Sequence, residues 1–385
     1  MNEQISINPN ILTWARKLSG YSINTVVQKL NRKRITAETI KGWESGTDSP
    51  TYLQLERLAY EIYKRPLAVF FFPTPPEEET PEQSFRTLPK FELDKISPRI
   101  RALIRSARAM QLNLAELYEN EKPVQLPLLT QIEFQKSIPI DILAQKLRSL
   151  LDISLTDQKS WKNPESAFEN WRKSIQNHGV FVFKNAFKDD AISGFCLQEE
   201  LYPLIYINNS NPHTRQQFTL FHELAHLMNR TSGVDFRSDK FISRLSGENR
   251  QIEIKCNKFA GEFLVPSIDF ENEIQGIRIN SDSIADLAKL YNISREVILR
   301  KLLDTNKISK NYYDTQVEQM AKFAKSKKKP GGNYYYNLGT YLGKIYLEMA
   351  FAKFYQKRIS REQLADYLNV KVKSISGMES LLYKQ

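Results

Sequence analysis

Cysteine is nearly absent. Among 385 residues only Cys196 and Cys256 occur, so no disulfide framework holds the fold. Long apolar runs are missing too. The strongest, Leu67-Ala-Val-Phe-Phe-Phe72, is far shorter than the ~20 residues that cross a bilayer. It reads as a core segment, and no membrane partner is expected. The opening Met1-Asn-Glu-Gln4 has neither the basic nor the apolar region of a secretory signal, which points to the cytoplasm. Histidine is scarce as well, with four in the chain, and two of them stand four residues apart. Positive charge is in excess: the formal net charge is +11 and the pI near 9.3, most of the surplus lying in residues 301–385. A polyanionic partner is the natural expectation from that balance. The length predicts two or three domains.

The two close histidines lie in Thr219-Leu-Phe-His222-Glu223-Leu-Ala-His226-Leu-Met228, an HExxH motif. Leu220, Leu224, Leu227 and Met228 form an apolar stripe at helical spacing, and neither Gly nor Pro interrupts the segment. Residues four apart share a helical face, so His222 and His226 can offer two imidazoles to one zinc ion while Glu223 points toward a water on it. Zinc brings the pKa of such a water toward roughly 7, which is the chemistry of metal-assisted peptide hydrolysis with Glu223 as general base. The bland alternative is a chance pentapeptide.

A catalytic zinc usually has three protein ligands. The third histidine of metzincins is missing, because Asn229 and Ser232 stand where Gly and His would be needed. A carboxylate from a later helix is the remaining common solution. Gln251 to Pro266 reads as such a helix, with Ile252, Cys256, Phe259, Ala260 and Phe263 on its apolar face. At about 100° per residue, Glu253 falls about 60° from Cys256, on the inward arc, whereas Glu262 falls about 120° away and faces water. Glu253 is therefore the expected third ligand, against a plainer role at the start of the helix, and Cys256 is expected to be a core thiol. His213, Arg215, Tyr202 and Tyr206 are candidates to stabilise an oxyanion. His178, at a helix end, reads as a cap.

Arg215-Gln-Gln-Phe-Thr-Leu-Phe-His-Glu-Leu-Ala-His-Leu227, followed by Glu253-Ile-Lys-Cys-Asn-Lys-Phe-Ala-Gly-Glu-Phe-Leu-Val-Pro266, resembles the ImmA/IrrE family of bacterial and phage metallopeptidases. The resemblance implies metal binding by His222, His226 and Glu253. It also implies a protein substrate, since members of that family relieve repression by cutting Xre-type repressors. Ile192 to Leu197 and Tyr202 to Asn208 resemble the two short strands that precede the family's active-site helix. Ala225 replaces a common Gly and Val265 a common Met, and neither touches a ligand.

The N-terminal end carries a different pattern. Residues 9 to 46 read as helix Pro9 to Leu18, a break at Gly20, helix Ser22 to Leu30, a basic turn Arg32-Lys-Arg34, and a helix from Thr36 that stops at Gly46. This is helix-turn-helix punctuation, and Thr36 to Gly46 resembles the recognition helix of Xre/Cro-type DNA-binding domains. Ile40 and Trp43 are its core residues. Thr36, Glu38, Thr39 and Lys41 are left for base edges or phosphates, with Lys33 and Arg34 as phosphate candidates at the turn. That turn is longer than usual. Pro75-Pro-Glu-Glu-Glu-Thr-Pro81 reads as a solvated connector.

The middle of the chain reads as scaffold: helices Pro98 to Asn120, Asp141 to Leu151 and Pro164 to Asn177, then an apolar strand Val180 to Phe183. The fold class expected is α+β and predominantly helical. It comprises an N-terminal helix-turn-helix bundle, a gluzincin-like HExxH domain with a small sheet, and a helical C-terminal tail. The divisions expected are 1–72 for DNA binding, 73–97 for a linker, 98–300 for the metallopeptidase and 301–385 for a basic helical region. Within the last, Lys327 to Lys329 form a basic loop, and Ile359 to Ile375 again has helix-turn-helix spacing, a second nucleic-acid contact or a packing module. The function expected is that of a DNA-binding zinc metalloendopeptidase in transcriptional regulation. The alternative is an Xre-type regulator whose zinc domain is a sensor or structural element. DNA and an Xre-type repressor are the expected partners, with homodimerisation left open.

Overall fold

The computed structural model describes residues 5–86, 88–119, 127–132, 134, 138–236, 240–324 and 334–383. The basic stretch 325–329, the opening residues 1–4 and Asn120, the expected end of the long helix, lie outside them. The chain is mostly helical with one four-stranded sheet, an α+β fold, and it divides into two compact units, 1–106 and 107–385.

In the first unit each helix begins where a side chain can cap it. Asn8 caps Pro9–Leu18, Ser22 caps Ile23–Leu30, and Thr36 and Thr39 exchange hydrogen bonds in a capping box that opens Ala37–Ser45. Gly46 ends that third helix at φ 78°, a left-handed value natural to glycine. Ile11, Ala15, Val26, Ile40 and Trp43 form one core with Leu55, Ala59, Ile62 and Phe70 from the segments that follow. Arg16 clamps the first helix to the third: its Nε donates to Glu44 Oε1 at 2.6 Å and its Nη2 to Glu44 Oε2 at 2.8 Å.

Residues 73–97 are not a bare connector. Arg65 pairs with Glu78 at 2.6 Å, Thr80 and Gln83 form a capping box for the short helix Pro81–Ser84, and a second short helix spans Lys90–Leu93. Phe85, Leu88, Leu93 and Ile96 are buried. Their burial is the physical reason this stretch lies within the first compact unit, whatever its proline and acidic content suggests.

The sheet of the second unit runs β1-β3-β2-β4. Strand β1 (Phe181–Asn185) is parallel to β3 (Leu204–Asn208), and β2 (Ile192–Leu197) is antiparallel to both β3 and β4 (Gly233–Phe236). Strand side chains alternate between faces. Val182, Cys196, Ile205 and Ile207 meet the helical core on one face, together with helices Pro164–Asn177, His213–Met228 and Gly247–Leu264. Trp171, Phe221 and Phe263, one from each of these helices, interlock with ring centroids 4.1 to 5.2 Å apart. Each such pair contributes about 0.5–1.5 kcal/mol beyond its buried area.

The opposite face carries Phe183, Phe195 and Tyr206. It is covered in part by Tyr346 from helix Lys344–Tyr355, whose ring meets Phe183 edge-on at 5.3 Å. Arg172, fully buried, donates to the carbonyls of Val182, Thr340 and Tyr341 and so joins β1 to the C-terminal helices. Residues 334–383 are thus packed into the second unit. Among the described residues no helix is long and apolar enough to cross a membrane.

Candidate metal centre

The helix His213–Met228 is buried along nearly its whole length from Gln216 onward, with only Phe218 half-exposed. Its apolar residues face the sheet and the aromatic core. His222, Glu223 and His226 are themselves 0–2% exposed, a costly placement for three ionisable groups unless something pairs them. Glu253, on the facing helix Gly247–Leu264, supplies the pairing. His222 Nε2 lies 3.4 Å from Glu253 Oε2 and His226 Nε2 lies 3.3 Å from Glu253 Oε1. The two Nε2 atoms are 3.2 Å apart. These three residues are the group of metal-ligating side chains found among the described residues, with donor atoms within 4.8 Å of one another.

The outer nitrogens explain why both imidazoles present Nε2. His222 Nδ1 lies 3.1 Å from Asn257 Oδ1, an acceptor that places the ring proton on Nδ1. His226 Nδ1 lies 3.3 Å from Thr231 Oγ1, whose own proton goes to the His226 carbonyl at 3.2 Å, leaving the hydroxyl to accept. Gly233 on β4 provides room for the second ring: a Cβ there would stand 2.5 Å from His226 Cδ2 and 2.9 Å from its Nε2. Asp235, two residues further on, accepts from Thr219 Oγ1 at 2.7 Å and from Arg215 Nη2 at 2.9 and 3.0 Å. Strand β4 therefore braces the histidine helix at three points.

The electrostatics are those of a site that favours a cation. Burial alone would raise Glu253, but His226 and His222 outweigh it and hold the carboxyl at about 2. Both histidines are raised in spite of burial: His222 by its hydrogen bond to Glu253 and by nearby Asp235, His226 by Cys256 and Glu253. Burial pushes Glu223 up to about 6 against the pull of the same histidines. Neither carboxylate oxygen of Glu223 has a geometric hydrogen-bond partner. The Cys196 thiol lies beside Glu223, yet its proton goes to the Thr231 carbonyl at 3.8 Å and its sulfur accepts from Gly233 N at 3.2 Å. The residues fit a zinc ion, which would displace the protons that Glu253 favours on the inward nitrogens: two imidazoles oriented through Nδ1, one carboxylate, and beside them a buried carboxylate with no hydrogen-bond partner on either oxygen.

The other candidates are distributed unevenly. Arg215 borders the same cleft as His222 and Glu253, its guanidinium held by Asp235 and by Ser193 Oγ at 3.2 Å. His213 is half-buried in the first turn of the helix, more than two turns from His222. Tyr206 is on the far face of the sheet, stacked on Phe195 at 5.3 Å, and Tyr202 packs against Tyr118 at 5.8 Å, so the structure brings neither to the histidines. Glu262 does not face open water: it accepts from Ser267 and Lys301 and is half-buried. Cys256 is buried in the core. His178 caps its helix, with Nδ1 2.8 Å from the Ser174 carbonyl. In the first unit Lys33, Arg34, Thr36, Glu38 and Lys41 are exposed and Thr39 is half-buried.

Sequence reasoning missed Asn257, Thr231, Gly233 and Asp235. Asn257 stands one turn after Glu253 and was visible as a polar residue on the inward arc. The other three depend on β4 and the turn before it.

No curated protein matches the chain. Residues 175–303, the stretch that contains His222, Glu223, His226 and Glu253, match the family model of the IrrE N-terminal-like domain, a peptidase family, and this match supports placing that segment with the ImmA/IrrE metallopeptidases.

Proposed function

We propose that this protein is a DNA-binding zinc metalloendopeptidase of the cytoplasm that acts in transcriptional regulation by cutting an Xre-type repressor. The observation that carries the catalytic half is Glu223, a fully buried carboxylate with two unpaired oxygens beside the His222, His226 and Glu253 donors. A purely structural metal site has no use for it.

His222, His226 and Glu253 would hold zinc, which supplies Lewis acidity to the peptide carbonyl and to the attacking water. Glu223 would take a proton from the attacking water on its carboxylate as the water oxygen bonds to the carbonyl carbon, and would return that proton to the amine nitrogen as the C–N bond breaks. Burial, which raises this carboxyl in the metal-free protein, makes it a stronger base than an exposed glutamate. Asn257 and Thr231 keep the histidine rings from turning. Arg215, with its orientation fixed by Asp235, is the candidate left to bind the carbonyl oxygen.

The DNA-binding half rests on the resemblance of residues 9–46 to Xre/Cro domains and on the exposed Lys33, Arg34 and Lys41. The capping box engages Thr36 and Thr39, so the lysines and Arg34 would make the main phosphate contacts.

Incubating the purified protein with Xre-type repressors encoded nearby tests the first half. A discrete cut that a zinc chelator prevents is expected, and repressors left whole under every condition would sink the reading. For the second half, Lys41→Ala should weaken operator binding and the affinity should fall with salt. Binding indifferent to salt would count against a phosphate-led interface.

A further inference from the structure

The cleft at the metal centre, with a volume of about 1130 Å³, continues along the glutamate helix. Glu253, Asn257 and Gly261 follow one another at four-residue spacing, and all three line it. Gly261 is the unexpected member. Inside a helix of 18 residues, a glycine costs about 0.5–1 kcal/mol relative to alanine. Tight packing normally accounts for such a residue. Here, among the described residues, a Cβ would meet no atom within 4 Å beyond its own turn of helix, and the backbone is helical rather than left-handed. Neither the packing nor the conformation of the fold makes use of the missing side chain. Only the cleft does.

We propose that Gly261 is the floor of a substrate subsite, where the main chain of an extended polypeptide lies directly on the helix. The inference rests on the peptidase reading above. Eight residues of helix separate Gly261 from Glu253, about 12 Å at 1.5 Å per residue, and an extended chain advances about 3.3 Å per residue. The subsite therefore lies about three to four residues from the bond cut beside the metal ligands.

The chemistry around it says what it selects. Glu262 is committed to Lys301 and Ser267, and Arg148 donates to the Phe263 carbonyl at 2.7 Å and to Gln158 at 2.8 Å. The Arg148 guanidinium also lies 4.7 Å over the Phe263 ring. With the Glu262 and Arg148 charges spent within the protein, the missing side chain of Gly261 sets a limit on bulk, so that main chain and small residues are admitted there.

The test reads binding without turnover. A displayed library of random peptides is selected on zinc-loaded Glu223→Gln protein, and the peptides that a hydroxamate displaces are kept. Their affinities are then compared in the same background with Gly261→Ala and Gly261→Leu. The selected peptides should lose about tenfold or more in affinity for the leucine variant and little for the alanine variant. Zinc stoichiometry should hold in both, and the melting temperature should hold or rise, since a glycine leaves the helix interior. Shortening the peptides by the residues that reach Gly261 should abolish the difference. Equal affinity of full-length peptides for the leucine variant overturns the subsite. A library that yields no hydroxamate-displaced peptide at all overturns the peptide-groove reading beneath it, a distinct result.

Discussion

Gly233→Ala should weaken zinc binding although residue 233 offers no ligand. The new Cβ would stand 2.5 Å from Cδ2, 2.6 Å from Cγ and 2.9 Å from Nε2 of His226. Carbon contacts are comfortable at about 3.5–4.0 Å, so the ring or the strand must give way by about 1 Å. The ring has little freedom to do so, since Thr231 holds Nδ1 at 3.3 Å and the backbone carbonyl of His226 holds Thr231. The strand is restrained as well, by Asp235 bonded to Arg215 and Thr219. Metal-ligand distances tolerate only about 0.2 Å, so zinc affinity should fall by about 10–100-fold, the usual penalty for losing a ligand's support. Folding stability of the metal-free protein should fall by about 1–3 kcal/mol from overpacking. Competition with a chromophoric chelator measures the first quantity and urea denaturation the second. Unchanged zinc affinity would refute the claim that Gly233 sets the position of His226, even if stability fell.

Glu253→Ala should strip the protein of zinc under mild chelation, whereas Glu262→Ala should keep zinc and lose about 1–3 kcal/mol because Lys301 is left without its half-buried partner; the reverse pattern, read by metal analysis and urea titration, would move the third ligand to Glu262. Asn257→Leu should lower zinc affinity while leaving Glu253 in place, and a variant with full affinity would show that the Nδ1 hydrogen bond does not orient His222. Lys184 predicts a pH effect remote from the metal. Burial, aided by Arg172 and opposed by Glu169 and Glu165, holds its amine at about 8, below the ordinary 10.5. The unfolded chain thus binds more protons between those values, and this group should raise stability by up to about 3 kcal/mol as pH climbs through that window. Urea denaturation across the window should show a rise that Lys184→Met lacks, and equal slopes in the two proteins would contradict the burial argument.

Local punctuation accounts for much of what could be read in advance. Asn163 and Pro164 open a helix that ends at Asn177, before His178 and Gly179, and the structure places those bounds from the same residues. The inward position of Glu253 followed from the 100° step because one face of its helix is buried and the other is not. Strand β4 left no such signal. Its four residues, Gly233-Val-Asp-Phe236, are too few for the Val-Asp-Phe alternation to stand out, and only pairing with β2 makes them a strand. Asp235 and Gly233 were missed with it. The alternation of β3 carried enough information to set Tyr206 opposite Ile205 and Ile207, provided the core face was known, and that face is fixed only by tertiary packing. In residues 73–97 the prolines and glutamates hid the apolar series Phe85, Leu88, Leu93 and Ile96. The tie from Arg172 to the carbonyls of Thr340 and Tyr341 joins residues far apart in sequence, which no local pattern announces.

The central claim is that the buried, unpaired carboxylate of Glu223 moves the proton in a hydrolysis at a zinc site built from His222, His226 and Glu253. Zinc stoichiometry and repressor cleavage, measured side by side for the wild type and Glu223→Gln, test it most directly. One zinc per chain is expected in both proteins, with cleavage by the wild type alone. Undiminished cleavage by the zinc-loaded glutamine variant would contradict it.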